Sequence, residues 1–335
     1  MTILVTGSAG HLGEAIIRSL RGRGSPAHGV DLKKSEFTDA VGSITDPDFV
    51  RRQMPGVSAI IHTATLHKPH VATHSKQDFI DTNVTGTLNL LEAAVAADVT
   101  SFVFTSTTSA FGSQLRPEAG QAAVWVTEDL PPVPKNIYGT TKLMAENLCE
   151  LFFRERGLPV IVLRTSRFFP EVDDDPAMRS GFTPENAQAN ELLYRRVDIA
   201  DAVSAHLLAV ARAPEIGFAR YIISATSPFK SHHLAALARD AASVVRELYP
   251  DCARLYTKCA QLYPPHGWQL FPQIDRVYVN DRARRELGWH PEFDFAHVLS
   301  SLRSGRDFRS ALAREVGSKG YHATAFDDGP YPVAS

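Results

Sequence analysis

Short apolar runs alternate with segments of helical period along the first half of the chain. Ile3–Thr6 reads as a strand, followed by a helix over His11–Arg21 with Leu12, Ala15, Ile16 and Leu20 on one face. Ala27–Asp31 is a second strand. Asp46 and Pro47 suit the N-cap and first position of a helix. Ala59–His62 is a third buried strand. Asn83–Ala97 is a long apolar-periodic helix, and Ser101–Thr105, Ile137–Arg156 and Pro159–Leu163 read as strand, helix and strand. Strands that alternate with helices predict an α/β fold with a doubly wound parallel sheet, covered on both faces, of the Rossmann type. Ligands of such a fold sit at the carboxyl ends of its strands.

After Arg164 the pattern changes to prolines, acids and short elements, as in Phe169 to Pro176. Helices return at Ile199–Arg212 and His232–Leu248, Tyr263–Gly267 reads as a loop, and Arg282–Leu287 and Phe295–Arg314 read as closing helices. The expected division is a dinucleotide-binding domain over 1–164 and a smaller substrate-binding region over 165–320, partly interleaved with the sheet. Residues 321–335 form a docked or flexible tail.

Composition narrows the class without deciding it. The 335 residues are 44% hydrophobic and 21% charged, with a net charge of −2. That balance gives no electrostatic case for nucleic acid or an anionic membrane as partner. No apolar run has the length of a membrane span. Cys149, Cys252 and Cys259 form neither a CxxC pair nor an even framework, so a reducing compartment is expected. The first strand begins close to Met1, which leaves no room for a signal peptide. A cytoplasmic location is the expectation.

Two strings carry chemistry. In Thr6-Gly7-Ser8-Ala9-Gly10-His11-Leu12-Gly13, glycines stand between a strand and a helix. Gly7 permits the turn out of the strand, Gly10 lets backbone approach a pyrophosphate, and Gly13 lets the helix pack on the sheet. The helix N-terminus then offers free N–H groups to phosphate. Asp31, at the end of the next strand, can hydrogen-bond both ribose hydroxyls and repels a 2′-phosphate. It favours NAD over NADP, with Lys33 and Lys34 as the alternative partners of a 2′-phosphate.

The second string is Tyr138-Gly139-Thr140-Thr141-Lys142. Tyr138 and Lys142 lie one turn apart on a helix face, where their side chains can converge. A free phenol ionises near pH ~10, and a neighbouring ammonium is expected to lower that value. The strand Phe102–Thr107 ends in three hydroxyl residues, a source for a hydroxyl donor. A glycine loop, a strand-end acid, a hydroxyl strand and a Tyr/Lys pair in this order point to hydride chemistry on a carbonyl or carbinol.

With these motifs the chain resembles the extended short-chain dehydrogenase/reductases, the NAD-dependent epimerase/dehydratase family. Further anchors are Ile60 to Ala64, Asn83 to Thr87, Thr105 through Gly112, Val197 to Asp201 and Arg285 to Trp289. The resemblance implies Tyr138 as the acid/base, Lys142 as the ribose contact, and Thr107 as a hydroxyl contact to substrate. It implies cofactor contacts from Gly7, Gly10, His11, Leu12, Gly13, Asp31, Thr63, Ala64, Asn83 and Thr105. Ser43 and Ile44 stand where an Asp and an aliphatic residue meet adenine, with Ser43 departing from the pattern. It also implies a homodimer whose Asn83–Ala97 and Ile137–Arg156 helices form a four-helix bundle.

Departures from the family narrow the reaction. Sugar dehydratases carry an Asp-Glu pair after the catalytic threonine, and related decarboxylases a glutamate. Here those positions are Thr108 and Ser109, which are not acids. Residues that clasp a nucleotide diphosphate in relatives appear as Arg167, Glu191 and Trp268-Gln269. Arg167, or Arg195 and Arg196 nearby, could instead clamp a carboxylate or single phosphate. His67 follows a strand whose loop lines the nicotinamide pocket in relatives and could touch substrate. His62, His67, His70 and His74 fit no metal-site spacing, so no metal is expected. Asp173 to Asp175 read as a solvated loop. The expected activity is an NAD-dependent oxidoreductase acting on a secondary alcohol or ketone of a small polyol-like, sugar or sugar-acid substrate. A nucleotide-sugar 4-epimerase and a non-catalytic dinucleotide sensor are the alternatives.

Overall fold

The computed structural model describes residues 2–173, 175–252, 254–256 and 268–320. Seven parallel strands form one sheet in the order β3-β2-β1-β4-β5-β7-β8. They are β1 (Thr2–Thr6), β2 (Ala27–Asp31), β3 (Ala40–Val41), β4 (Val57–His62), β5 (Ser101–Thr107), β7 (Val160–Thr165) and β8 (Phe218–Ile223). A two-stranded ribbon pairs β6 (Val124–Val126) with β9 (Arg276–Tyr278). The sheet is the expected doubly wound one, and its strand order reverses between β1 and β4. β8 and β3 were not foreseen. Because β8 joins the sheet, the sheet draws on residues well past Arg164.

Alternation along each strand explains the continuous apolar runs. Ile3 and Val5 of β1, Val103 of β5, and Ile161 and Leu163 of β7 face a core shared with α1 (His11–Gly22) and α8 (Ile199–Ile216). Leu4, Phe102, Phe104, Val160 and Val162 face the opposite core, with α2 (Pro47–Arg52), α4 (Gly86–Ala96) and α5 (Ile137–Arg156). Both faces are covered, so both sets of side chains must be apolar. A third core lies in the C-terminal region. There α7 (Pro184–Glu191) and α9 (Leu234–Leu248) meet Trp268, Phe271 and α10 (Phe295–Arg303).

Helix boundaries depart from the periodicity in two places. The helix expected from Asn83 begins earlier, with α3 (Lys76–Ile80) and a π turn over Asp81–Thr85 running into α4. Ser75 starts it, accepting from the Asp78 N–H at 3.1 Å while Asp78 Oδ2 accepts from the Ser75 N–H at 2.8 Å. The single helix expected over Phe295–Arg314 is instead two, α10 and α11 (Ala311–Val316). Gly305 turns the chain between them at φ 64°, and Ser310 caps α11. α6 (Pro176–Gly181) is capped by Asp175, whose carboxylate accepts from the Ala177 N–H. Asp174, Cys259, the loop Tyr263–Gly267 and the tail 321–335 lie outside the described residues. Among those described, no helix is long and apolar enough to cross a membrane.

Candidate active site

A cavity of about 750 Å³ opens along the carboxyl ends of the strands, at the point where strand order reverses. One end is built by the glycine loop. Gly7 sits at φ 74°, and a Cβ there would lie 2.8 Å from the Ala64 nitrogen. A Cβ on Gly13 would lie 2.0 Å from the Gly7 oxygen, so only glycine lets α1 approach the loop. Gly10 is the N-cap of α1 and supplies no side chain, which leaves the first-turn N–H groups facing the cavity. Asp31 accepts from the Ala9 N–H at 3.0 Å and the Lys33 N–H at 2.8 Å. That fixes the acid against the loop. Ser43 and Ile44 line the same end, the Ile44 carbonyl accepting from Asn89 at 3.0 Å. His11 and Leu12 also line it. Loop, dipole end and acid together fit a dinucleotide: glycines where a phosphate approaches and a carboxylate where a ribose would lie.

The middle of the cavity is lined by Thr63, Ala64 and Thr105. Thr63 Oγ1 donates to the Thr6 carbonyl at 2.7 Å, which ties β4 to β1 at the reversal point. Thr105 Oγ1 lies 2.8 Å from His206 Nε2 of α8. Asn83 does not line the cavity. Its amide accepts from Thr65 and Leu66 and donates to the Leu66 carbonyl and Thr141 Oγ1, pinning the loop after β4 to α5. The structure thus places Asn83 behind the wall rather than at it. His62 is likewise internal, between Thr6 Oγ1 at 2.7 Å and Thr87 Oγ1 at 3.0 Å, and burial holds its pKa well below 6.5.

Tyr138 and Thr107 meet at the far wall. Both line the cavity, with the Thr107 hydroxyl beside the phenol. Asn136 caps α5 by accepting from the Gly139 N–H at 3.1 Å, which sets the first turn that carries Tyr138. Burial pushes the phenol up to about 12, against the lowering effect of the Thr107 hydroxyl. Lys142 lies one turn on but is buried and does not line the cavity. Burial brings its ammonium down to about 7. The expected lowering of Tyr138 by Lys142 is therefore corrected: burial raises the phenol, and the lowering contribution comes from Thr107. His67 does reach the site. Its ring centroid is 6.2 Å from that of Tyr138, and burial, with the charges of His70, Lys142 and His11, lowers it to about 3.

The substrate end carries arginines. Arg167, Arg195 and Arg276 line it with Asp173. Arg167 is committed to its own loop: it donates to Asp173 at 3.2 Å and to the carbonyls of Glu171 and Val172 at 2.7 and 3.0 Å. It is a loop clip more than the open clamp expected. Glu191 does not face substrate. It is buried and paired with Arg195 and Arg196, each at 2.8 Å. Burial would raise its pKa, but Arg196, Arg195 and Arg167 outweigh that and hold it at about 2. Arg196 donates to the Phe169 carbonyl behind the wall. Trp268 is buried and Gln269 bonds Asn186 and the Gly181 carbonyl, away from the cavity. Asp173 is an ion-pair partner of Arg167 and Arg195, not a solvated acid. Among the described residues no group of His, Cys, Asp or Glu is arranged to hold a metal.

Three contributors escaped the sequence reading: Arg276, Glu171 and Lys319. Arg276 comes from a strand of three residues, too short to show a period. Glu171 Oε1 lies 2.8 Å from His11 Nε2, and Lys319 closes on the same spot from the far end of the chain. No local pattern signals either contact.

A model of the NAD dependent epimerase/dehydratase family matches residues 3–217. The chain is 26% identical over 355 residues to a UDP-glucose 4-epimerase of Azospirillum brasilense, spanning 95% of this chain and 94% of that one. It is 29% identical over 170 residues to an L-arabinose 1-dehydrogenase (NAD(P)(+)) of Haloferax volcanii, spanning 48% and 65%. A solved short-chain dehydrogenase/reductase superfamily protein from Agrobacterium tumefaciens, with bound NAD, superposes at a TM-score of 0.63. It is 26% identical and covers 94% of this chain and 99% of that chain.

Proposed function

The chain belongs to the NAD dependent epimerase/dehydratase family, and from that premise we propose that it moves hydride between NAD and a secondary alcohol or ketone of a small sugar, sugar acid or polyol. The observation that carries the reading is that Tyr138 and Thr107 lie in the wall of the same cavity that the glycine loop and Asp31 line. NAD supplies or accepts the hydride when bound. The glycine loop, the α1 N-terminus and Asp31 would hold it, with Thr105 toward its nicotinamide half and Lys142 in the layer behind. Tyr138 exchanges the proton of the reacting hydroxyl, and Thr107 orients that hydroxyl. Thr108 and Ser109 line the same wall and bring hydroxyls where elimination would need carboxylic acids.

Arg195 and Arg276 favour a substrate that carries negative charge. Both line the cavity, where a guanidinium can meet a carboxylate or phosphate. The likeness to a UDP-glucose 4-epimerase over nearly the whole chain favours a second reading, in which hydride returns to the same substrate and NAD is regenerated. α4 and α5, which lie side by side against one face of the sheet, are the proposed dimer seam.

Purified protein with NAD and a panel of free sugars, uronates and polyols is expected to accumulate NADH. Interconversion of UDP-glucose and UDP-galactose without net NADH would replace this reading by the epimerase.

A further inference from the structure

The pyrophosphate end of the cavity is covered by residues from three distant parts of the chain. α11 packs on α1 and α8 through Leu312, Ala313 and Val316. Gly317, at φ 58°, then turns the chain, and Ser318–Gly320 pass over the first turn of α1. The Lys319 amide donates to Glu171 Oε1 at 3.1 Å and lies 3.1 Å from His11 Nε2, which lies 2.8 Å from the same Oε1. Ser318 Oγ donates to Glu171 Oε1 at 2.8 Å. The Lys319 ammonium bonds Glu14 Oε2, while Arg18 donates to Glu14 Oε1 at 2.8 Å. Lys319 and Gly320 both line the cavity.

We infer that Ser318–Gly320 is a strap of the cofactor site, which closes over the pyrophosphate by joining His11, Glu14 and Glu171 and sets how fast the dinucleotide leaves. Two charges make the case. Glu14 is a buried carboxylate in the first turn of α1, where its charge would oppose a phosphate at the helix N-terminus. Lys319 joins Arg18 in neutralising that charge, from the side of the strap. Glu171 is also buried, and its Oε2 has no hydrogen-bond partner, so the carboxylate depends on the Oε1 bonds. Three of those come from the strap, from Ser318 Oγ and the Lys319 and Gly320 amides, which link the loop after β7 to the end of the chain. With the strap in place the dinucleotide cannot leave past α1 until the junction at Glu171 opens.

The inference rests on the dinucleotide reading and not on the substrate. Its test is the release of NADH from the full-length protein, followed by NADH fluorescence after a chase with excess NAD. Lys319→Met, and a chain ending at Gly317, are each expected to release NADH at least about 10-fold faster. Lys319→Arg, which keeps the charge, is expected to release it slowly. Glu14→Gln in the Lys319→Met background is expected to restore part of the retention. The melting temperature of Lys319→Met without nucleotide is expected to match that of the parent, which a merely structural role for the side chain would not give. Release within twofold of the parent in both Lys319→Met and the shortened chain would overturn the strap while leaving dinucleotide binding intact. Failure of the unaltered protein to bind NADH would overturn both.

Discussion

The Lys142 ammonium lies 4.0 Å from the centre of the Phe104 ring, in the layer beneath the cavity wall. A cation over an aromatic face is stabilised there, yet burial still brings the group down to about 7. Tyr138, one turn earlier, is pushed by burial up to about 12. The phenol is therefore protonated over the whole neutral range, in the wall beside Thr107. Two outcomes follow for Tyr138→Phe. Turnover falls at least ~100-fold while NAD binding, measured by titration calorimetry, stays close to the parent. Tyrosinate absorbance of the parent exceeds that of the variant only as pH approaches about 12; an excess at neutral pH would show a phenolate and a different relay.

Asp31 has two tasks that a substitution separates. Its oxygens hold the Ala9 and Lys33 amides, and its charge faces the place where a 2′-phosphate would lie. Asp31→Asn keeps one acceptor and removes the charge. It is expected to narrow the preference for NAD over NADP by about 10-fold, with a small loss in NAD affinity. Calorimetric titration with both dinucleotides checks it, and tighter binding of NADP by the parent would assign the pocket to Lys33 or Lys34.

The parts of this molecule that were legible in advance are those written in local spacing. The glycine loop, the strand-end Asp31 and the Tyr138/Lys142 pair each depend on neighbours within one turn, so their residue order is enough. The break between α10 and α11 was hidden because the apolar period runs on across Gly305 and Ser310. β8 was missed because Phe218, Ala219 and Arg220 are only half-buried at the sheet edge. The partners of Arg167 and Glu191 could not be read in the chain because they are set by tertiary folding. Glu191 looks like a repulsive charge in the chain and is a neutralised one in the fold. Lys319 and His11 are 308 residues apart, a separation at which sequence carries no contact signal.

Arg276 offers the cleaner test of an anionic substrate. Its terminal nitrogen makes only long contacts, 3.4 Å to the Leu115 carbonyl and 3.3 Å to Asp275. Its Nε is buried without a partner. Arg276→Gln is expected to raise KM for a uronate or sugar phosphate about 10-fold and leave kcat nearly unchanged, the pattern of a lost uniform binding contact. For a neutral sugar KM is expected not to move. Equal effects on charged and neutral substrates, read from initial rates, would show that Arg276 supports the wall and not the ligand.

His206 makes the end of β5 sensitive to acid. Its Nδ1 lies 2.7 Å from the Ala202 carbonyl and its Nε2 2.8 Å from Thr105 Oγ1. The carbonyl requires a proton on Nδ1, so the neutral ring accepts from Thr105 and both partners are satisfied. Burial lowers its pKa from 6.5 to about 4, against the raising effect of Ala202. The unfolded chain takes up a proton below about pH 6.5 that the folded chain refuses until about pH 4. Unfolding therefore binds a proton in that window, and stability falls as pH falls through it. One such group contributes a slope of about 1.4 kcal/mol per pH unit. His206→Gln removes the titrating ring and can still reach Thr105. Its urea-unfolding stability is expected to fall less steeply than the parent's between pH 6 and 4.5, by roughly one proton's slope. His62 and His67, lowered by burial as well, keep the remaining slope. Parallel curves for the two proteins would mean that His206 already carries its proton in the fold, with Thr105 as the acceptor.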